Sequence, residues 1–360
     1  MVEPMIITPT FTARFDSNFG TNSTAARDAR NAAAQLFTSA FSDDIHINIT
    51  VDAVTDAKVL GESFPQWVSI SYAEIYTRVN AYASTQNDLI AVGPGGSVTA
   101  SDPTNGSGKW SLTRAQAKAL GYVPDDLSDD GSTTFGTSES YTFTGSIAAG
   151  TIDFVDVAAH EISEVMGRAG LSGGNNSFSL IDLFSFTGAG TRRLQGGAGN
   201  FFSIDNGSTL IKEFNDTFFG GDSRDWAGGT NDAFNANASF GVRSIVSAVD
   251  LQLMDVLGYG RINPLGSLVQ TSGRVTFLRA HELGTGFGGP PNYLDAEIIV
   301  QLAEEPARSF GFQLRNDNNA ASHQAMFDAL RSALVSGRSV DLDYVAIGPR
   351  AGTIVRVSQI

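Results

Sequence analysis

A chain of 360 residues, 42% hydrophobic and 17% charged, is longer than one average domain and rich enough in apolar side chains for two cores, which excludes wholesale disorder. Its net charge of -15 opposes phosphate backbones and anionic lipid, so nucleic acid is not an expected partner. With no cysteine, disulfides, thiolate chemistry and sulfur-ligated metals are excluded, and any metal must be held by His, Asp, Glu or water.

Met5 to Phe15, MIITPTFTARF, predicts a strand stopped by the turn residues Asp16, Asn18 and Gly20. An Ala-rich run capped by Asn22 or Ser23 predicts a helix to Phe41, with Ala29, Ala33, Leu36 and Phe37 near one stripe. Ile45 to Val54 alternates apolar and polar residues, as a strand with one buried face does. Helices are expected over 71–83 and, ending at Gly121, near 113–122. Tyr141 to Ile147 predicts a strand leading into the helix that carries His160. A Gly-, Asn- and Ser-rich stretch follows, then an amphipathic helix, SAVDLQLMDVLGY.

Beyond Gly260 the character changes. RINPLGS reads as a linker, and VTFLRAHEL, AEIIVQL, FGFQLR, VDLDYVAI and TIVRVSQI are five strand-like runs interrupted by one helix from about Ala321 to Gly337. The expected organisation is an α+β domain over 1–262 and a small β-rich α+β domain over 268–360, an open sheet or a barrel crossed by its helix. No site assembles in the second domain, and an unknown binding partner is inferred for it only because it is appended. No apolar run nears the roughly 18 residues of a membrane helix. The opening MVEPMIITPTF has neither the basic start nor the apolar stretch of a signal peptide.

The chemistry concentrates in HEISEVMGR, His160 to Arg168. On a helix His160 and Glu164 stand four residues apart on one face and can reach one ion, while the intervening Glu161 polarises water in HExxH helices. A surface helix with solvated glutamates is the bland alternative. However, VDVAAHEISEVMG is largely apolar, which implies burial, and buried carboxylates need a partner or a metal. Acidic loops could hold Ca²⁺, but no EF-hand spacing and no Gly-rich calcium repeat supports it. No GxSxG serine elbow occurs, the glycine clusters lack strand-to-helix context, and His46, His281 and His323 have no partner at ligand spacing.

HEISEVMG, followed by Asp182 to Phe184 (DLF) and by Asp250 to Tyr259 (DLQLMDVLGY), resembles a group of bacterial metzincin-like zinc metalloproteases over roughly residues 5 to 260. The resemblance implies a zincin catalytic domain with a twisted mixed sheet and helices, one catalytic Zn²⁺, a peptide or protein substrate and an exported protein. Gly167 matches the glycine at which the metzincin chain leaves its helix, but Gly170 stands where a third ligand is expected and has no side chain to offer. The DLF element nominates Asp182 as that ligand, against a plain turn or helix-capping role, with Asp205, Asp222, Asp225 and Asp232 in reserve. TNDAFNA, Thr230 to Ala236, stands where metzincins carry a methionine turn, with Phe234 in place of Met.

The expected function is therefore a zinc endopeptidase with His160, Glu164 and Asp182 on the metal and Glu161 as general base. Two acid ligands are expected to shift its pH optimum upward, and the edge strand Tyr141 to Ile147 is expected to line the cleft. The alternative is a non-catalytic binding protein that keeps the fold, the change from His to Glu having cost it the metal.

Overall fold

The computed structural model describes residues 5–218, 220–229, 231–261, 268–289, 292–294, 296–315, 320–347 and 350–360. The chain divides into two units, Met1–Arg261 and Ile262–Ile360. Beyond Arg261, the linker expected at 261–267 lies outside the described residues.

Strict alternation in HINITVDAV buries Ile47, Ile49, Val51 and Ala53 completely and makes His46–Val54 a central strand of the first unit. It pairs in parallel with Ile6–Phe11 on one side and Gly131–Gly136 on the other, and Gly61–Pro65 forms the far edge, antiparallel to Gly131–Gly136. The first predicted strand stops early because the Thr12 hydroxyl accepts from Phe15 N and starts a helix, Ala13–Phe19. The Ala-rich helix runs Ser23–Thr38 and buries Ala26, Ala29, Ala33 and Phe37. Its small side chains let the helix carrying His160 pack closely against it. The helices expected at 71–83 and 113–122 are Tyr72–Tyr82 and Arg114–Ala119, capped by Ser71 and Thr113.

The strand expected over 141–147 is a correction. Only Tyr141–Thr142 is extended, paired in parallel with Ile152–Asp153. The Tyr141 hydroxyl donates to Gly136 O at 2.8 Å, and its ring packs 5.1 Å from Phe154, so this segment buttresses the core and is not among the residues lining the cleft over His160. The acidic loop around 125–130 gathers on a cation already in the chain. Buried Lys118 donates to Asp130 Oδ2 at 2.7 Å and to the carbonyls of His46 and Asp126 at 2.7 and 2.9 Å. No described helix is long and apolar enough to cross a membrane.

The last helix of this unit, Ala248–Val256, begins with a capping box between Ser247 and Asp250. Near its end Asp255 is 1% exposed, and burial pushes its carboxyl up to about 6 despite hydrogen bonds from Thr85 and Asn87. A raised folded-state value means that folding favours the protonated acid, so this group's stabilisation is complete below about 3.8 and is lost as pH rises through about 6. Relative to Asp255→Asn, the wild type is expected to lose stability across that window by at most about 1.4 kcal/mol per pH unit. Thermal melts of both proteins at pH 4 and pH 6 check this; parallel curves would refute it.

In the second unit Leu268–Ala280, Ile298–Leu302, Ser309–Phe312, Ser339–Ile347 and Ala351–Gln359 form a closed barrel. Around it the order is first, second, third, fifth, fourth, with the third and fifth strands parallel. Closure follows from the length of the first strand. Its residues 268–274 pair with the fourth strand, while 275 and 277–280 pair with the second, so no edge remains free. The helix Ala320–Ser336 presses Leu330 and Ala333 onto a core of Val275, Ile298, Val300, Phe310 and Leu342.

Candidate metal centre

The motif helix, Phe154–Ser163, is held at its start by Asp153, whose side chain accepts from Val155 N at 3.0 Å. It is buried along nearly its whole length, as its apolar sequence requires. Over Glu164–Arg168 the helical turn widens, and Gly167 ends it at φ 115°. A Cβ there would be strained and would lie 2.9 Å from the side chain of Gln116, so this position needs glycine. A wide turn of this kind re-aims the side chains it carries.

At that turn His160 and Glu164 face a third donor, Asp225. One ligand atom from each lies within 4.8 Å of the others. His160 Nε2 is 3.4 Å from Asp225 Oδ1 and 3.7 Å from Glu164 Oε1. Bonds of 2.0–2.1 Å in a tetrahedron put neighbouring donors roughly 3.3–3.4 Å apart, so these separations fit a small divalent cation. The other imidazole nitrogen, Nδ1, donates to Ala233 O at 2.9 Å. That hydrogen bond fixes the tautomer with its free lone pair toward the two carboxylates, as a backbone carbonyl does for metal-binding histidines. Burial lowers the His160 pKa and favours the neutral ring. The group His160, Glu164 and Asp225 could hold a metal ion.

Asp182, expected from the sequence as the third ligand, lies outside this group. It is fully buried, accepts from Ser179 N at 2.8 Å and Ser172 N at 3.1 Å, and forms an ion pair with Arg224 at 2.8 Å. Both its oxygens are taken by these partners, and it is not one of the donors that converge with His160 and Glu164. Arg224 also donates to Leu194 O and Ser185 Oγ, and its neighbour Asp225 points the other way, toward His160. On the far side Trp226 donates to Asp250 at 2.7 Å and stacks on Phe214 at 5.2 Å. Asp182 thus anchors the loop that delivers Asp225. Of the other reserve aspartates, Asp205 bonds Ser203 and Thr209, and Asp232 pairs with Lys212.

Glu161 lies against the edge strand. A Cβ on Gly61 would overlap its carboxylate, and Ser63 of the same strand donates to Glu164 Oε2 at 2.7 Å. Burial, and after it the nearby charge of Glu164, pushes the Glu161 carboxyl well above its usual range. A cleft of about 410 Å³ opens over these groups, bordered by Leu60–Phe64, by Asp222 and by Asp232–Ala233. Gly61→Ala is expected to displace Glu161 and cost about 1–3 kcal/mol of stability, as overpacking does. A melting curve checks it, and an unchanged midpoint would show that Glu161 has room to yield.

No family model, curated protein or solved structure matches this chain. The site therefore rests on its own geometry. His160, Glu161 and Glu164 are brought together, and Asp225 joins them in place of Asp182. Of the segment expected beside the site, Thr230 to Ala236, Thr230 lies outside the described residues; within the rest, Ala233 O accepts from His160, and buried Phe234 stacks on Phe37 with the Arg168 guanidinium 4.7 Å from its ring. Met254 is an ordinary core residue. Ser63 and Arg168 had no assigned role in the sequence reading. The signal for Arg168 was its position four residues after Glu164 on a buried helix.

Proposed function

We propose that the unit Met1–Arg261 is a zinc-dependent endopeptidase of metzincin-like type, with His160, Glu164 and Asp225 as metal ligands and Glu161 as general base. The observation that carries this reading is the convergence of one imidazole and two carboxylates, beside a fourth acid, on the floor of an open cleft. Zinc held there supplies Lewis-acid chemistry, polarising a carbonyl and lowering the pKa of water. Glu161, outside the ligand set, takes a proton from the attacking water and passes it to the leaving amine. Burial raises its pKa, which strengthens its carboxylate as a proton acceptor. The edge strand Gly61–Pro65, paired among the described residues only with Gly131–Gly136, offers its other side to an extended peptide by strand addition.

Metal analysis combined with proteolysis tests the proposal. The purified protein is expected to hold about one zinc per chain and to cleave an unfolded protein substrate until a chelator removes the metal. One observation favours a second reading, a non-catalytic binding protein: Arg168 pairs with both Glu164 and Asp225, so these acids have a cation of their own. Zinc-free protein with no cleavage after zinc is added would favour that reading.

A further inference from the structure

We propose that Arg168 is a positioning residue of the metal centre and that the functional unit of the motif is HExxExxxR, in which the guanidinium holds both acid ligands in place. Turnover enters this proposal only through the zinc-peptidase reading, but metal binding does not.

Arg168 is fully buried, and each of its three nitrogens is committed. Nε donates to Ser163 Oγ at 2.7 Å. Nη1 pairs with Asp225 Oδ1, and Nη2 lies 3.2 Å from Glu164 Oε1 and 3.4 Å from His160 O. The two carboxylate oxygens it touches are the same two that face His160 Nε2. A carboxylate oxygen has lone pairs for both neighbours, so a guanidinium behind and a metal in front do not compete. The remaining oxygens are also tied: Glu164 Oε2 accepts from Ser63, and Asp225 Oδ2 accepts from Asp222 N at 2.9 Å. Each acid ligand is thus gripped at both ends, and Arg168 is the part common to the two grips.

The chemistry explains why such a residue is needed. An HExxH site presents neutral imidazoles that do not repel one another. Replacing one by Glu164 and adding Asp225 puts two buried negative charges side by side, which desolvation and mutual repulsion would drive apart. A planar fork with several donors can hold two carboxylates at fixed angles, whereas an ammonium on a flexible stem is a point charge.

The test is titration of chelated protein with Co²⁺ alone, read by visible absorption, for wild type, Arg168→Met and Arg168→Lys. Loss of an outer-shell partner is expected to weaken the metal by roughly 10–100-fold in Arg168→Met and to change the absorption bands, with Arg168→Lys intermediate in affinity. Should Arg168→Met fail to fold, Arg168→Lys carries the test, because a changed fork alters the spectrum even with the charge kept. Co²⁺ affinity and spectrum like those of the wild type in the folded variants would overturn the proposal and leave the peptidase reading standing. A wild type that binds Co²⁺ and cleaves nothing, with metal lost in Arg168→Met, would remove the peptidase and keep the positioning role. A wild type that binds no Co²⁺ would remove both.

Discussion

Glu161→Gln is expected to bind zinc with the wild-type stoichiometry and to hydrolyse peptides about 10²–10⁴-fold more slowly, the usual contribution of a general base. The amide is nearly isosteric with the acid, which matters because Gly61 leaves no spare room beside this side chain. It cannot accept a proton at the attacking water, and it is none of the three donors that could hold an ion. Metal content and turnover measured on the same preparation separate the two roles. A variant that cleaves at the wild-type rate, or that loses its zinc, would remove Glu161 from the position of base.

Asp182→Ala is expected to destabilise the metal-free protein by about 3–5 kcal/mol, the cost of leaving one half of a buried ion pair alone. The stranded half is Arg224, itself fully buried, and a loosened Arg224 frees the loop on which Asp225 is mounted. Zinc affinity should therefore fall as a consequence of lost positioning. Denaturant unfolding of chelated Asp182→Ala is the decisive measurement. A metal ligand would lose zinc with little change in metal-free stability, and that outcome would return Asp182 to the centre. Asp225→Asn, by contrast, is expected to lose zinc directly, because it removes the charge from a donor atom 3.4 Å from His160 Nε2.

The expectation of an alkaline-shifted optimum treated both acid ligands as uncompensated. The Arg168 guanidinium contacts both and offsets one of the two charges, so the ligand charge alone no longer argues for such a shift.

Patterns that act over a few residues were legible. Alternation in HINITVDAV, the helices beginning near Ser71, Thr113 and Ser247, and the five runs and single helix of the barrel all follow from local side-chain chemistry. The Gly61–Pro65 and Gly131–Gly136 strands were not, because GESFP and GSTTFG carry only one large apolar side chain each, show no apolar alternation, and become strands through pairing with each other. The same limit explains the barrel. Most of its strand residues could be read, but the stretch 268–274, by which the first strand reaches the fourth and closes the barrel, could not.

The sequence by itself determined that His160 and Glu164 share one helix face with Glu161 between them, since four-residue spacing on a helix leaves no other choice. Only the tertiary structure decided which aspartate stands beside His160 and Glu164, because Asp182 and Asp225 lie far along the chain from them and the deciding fact is which of them a buried arginine claims without sparing an oxygen for His160. Asp182 goes to Arg224, while Asp225 meets Arg168 and His160 at once.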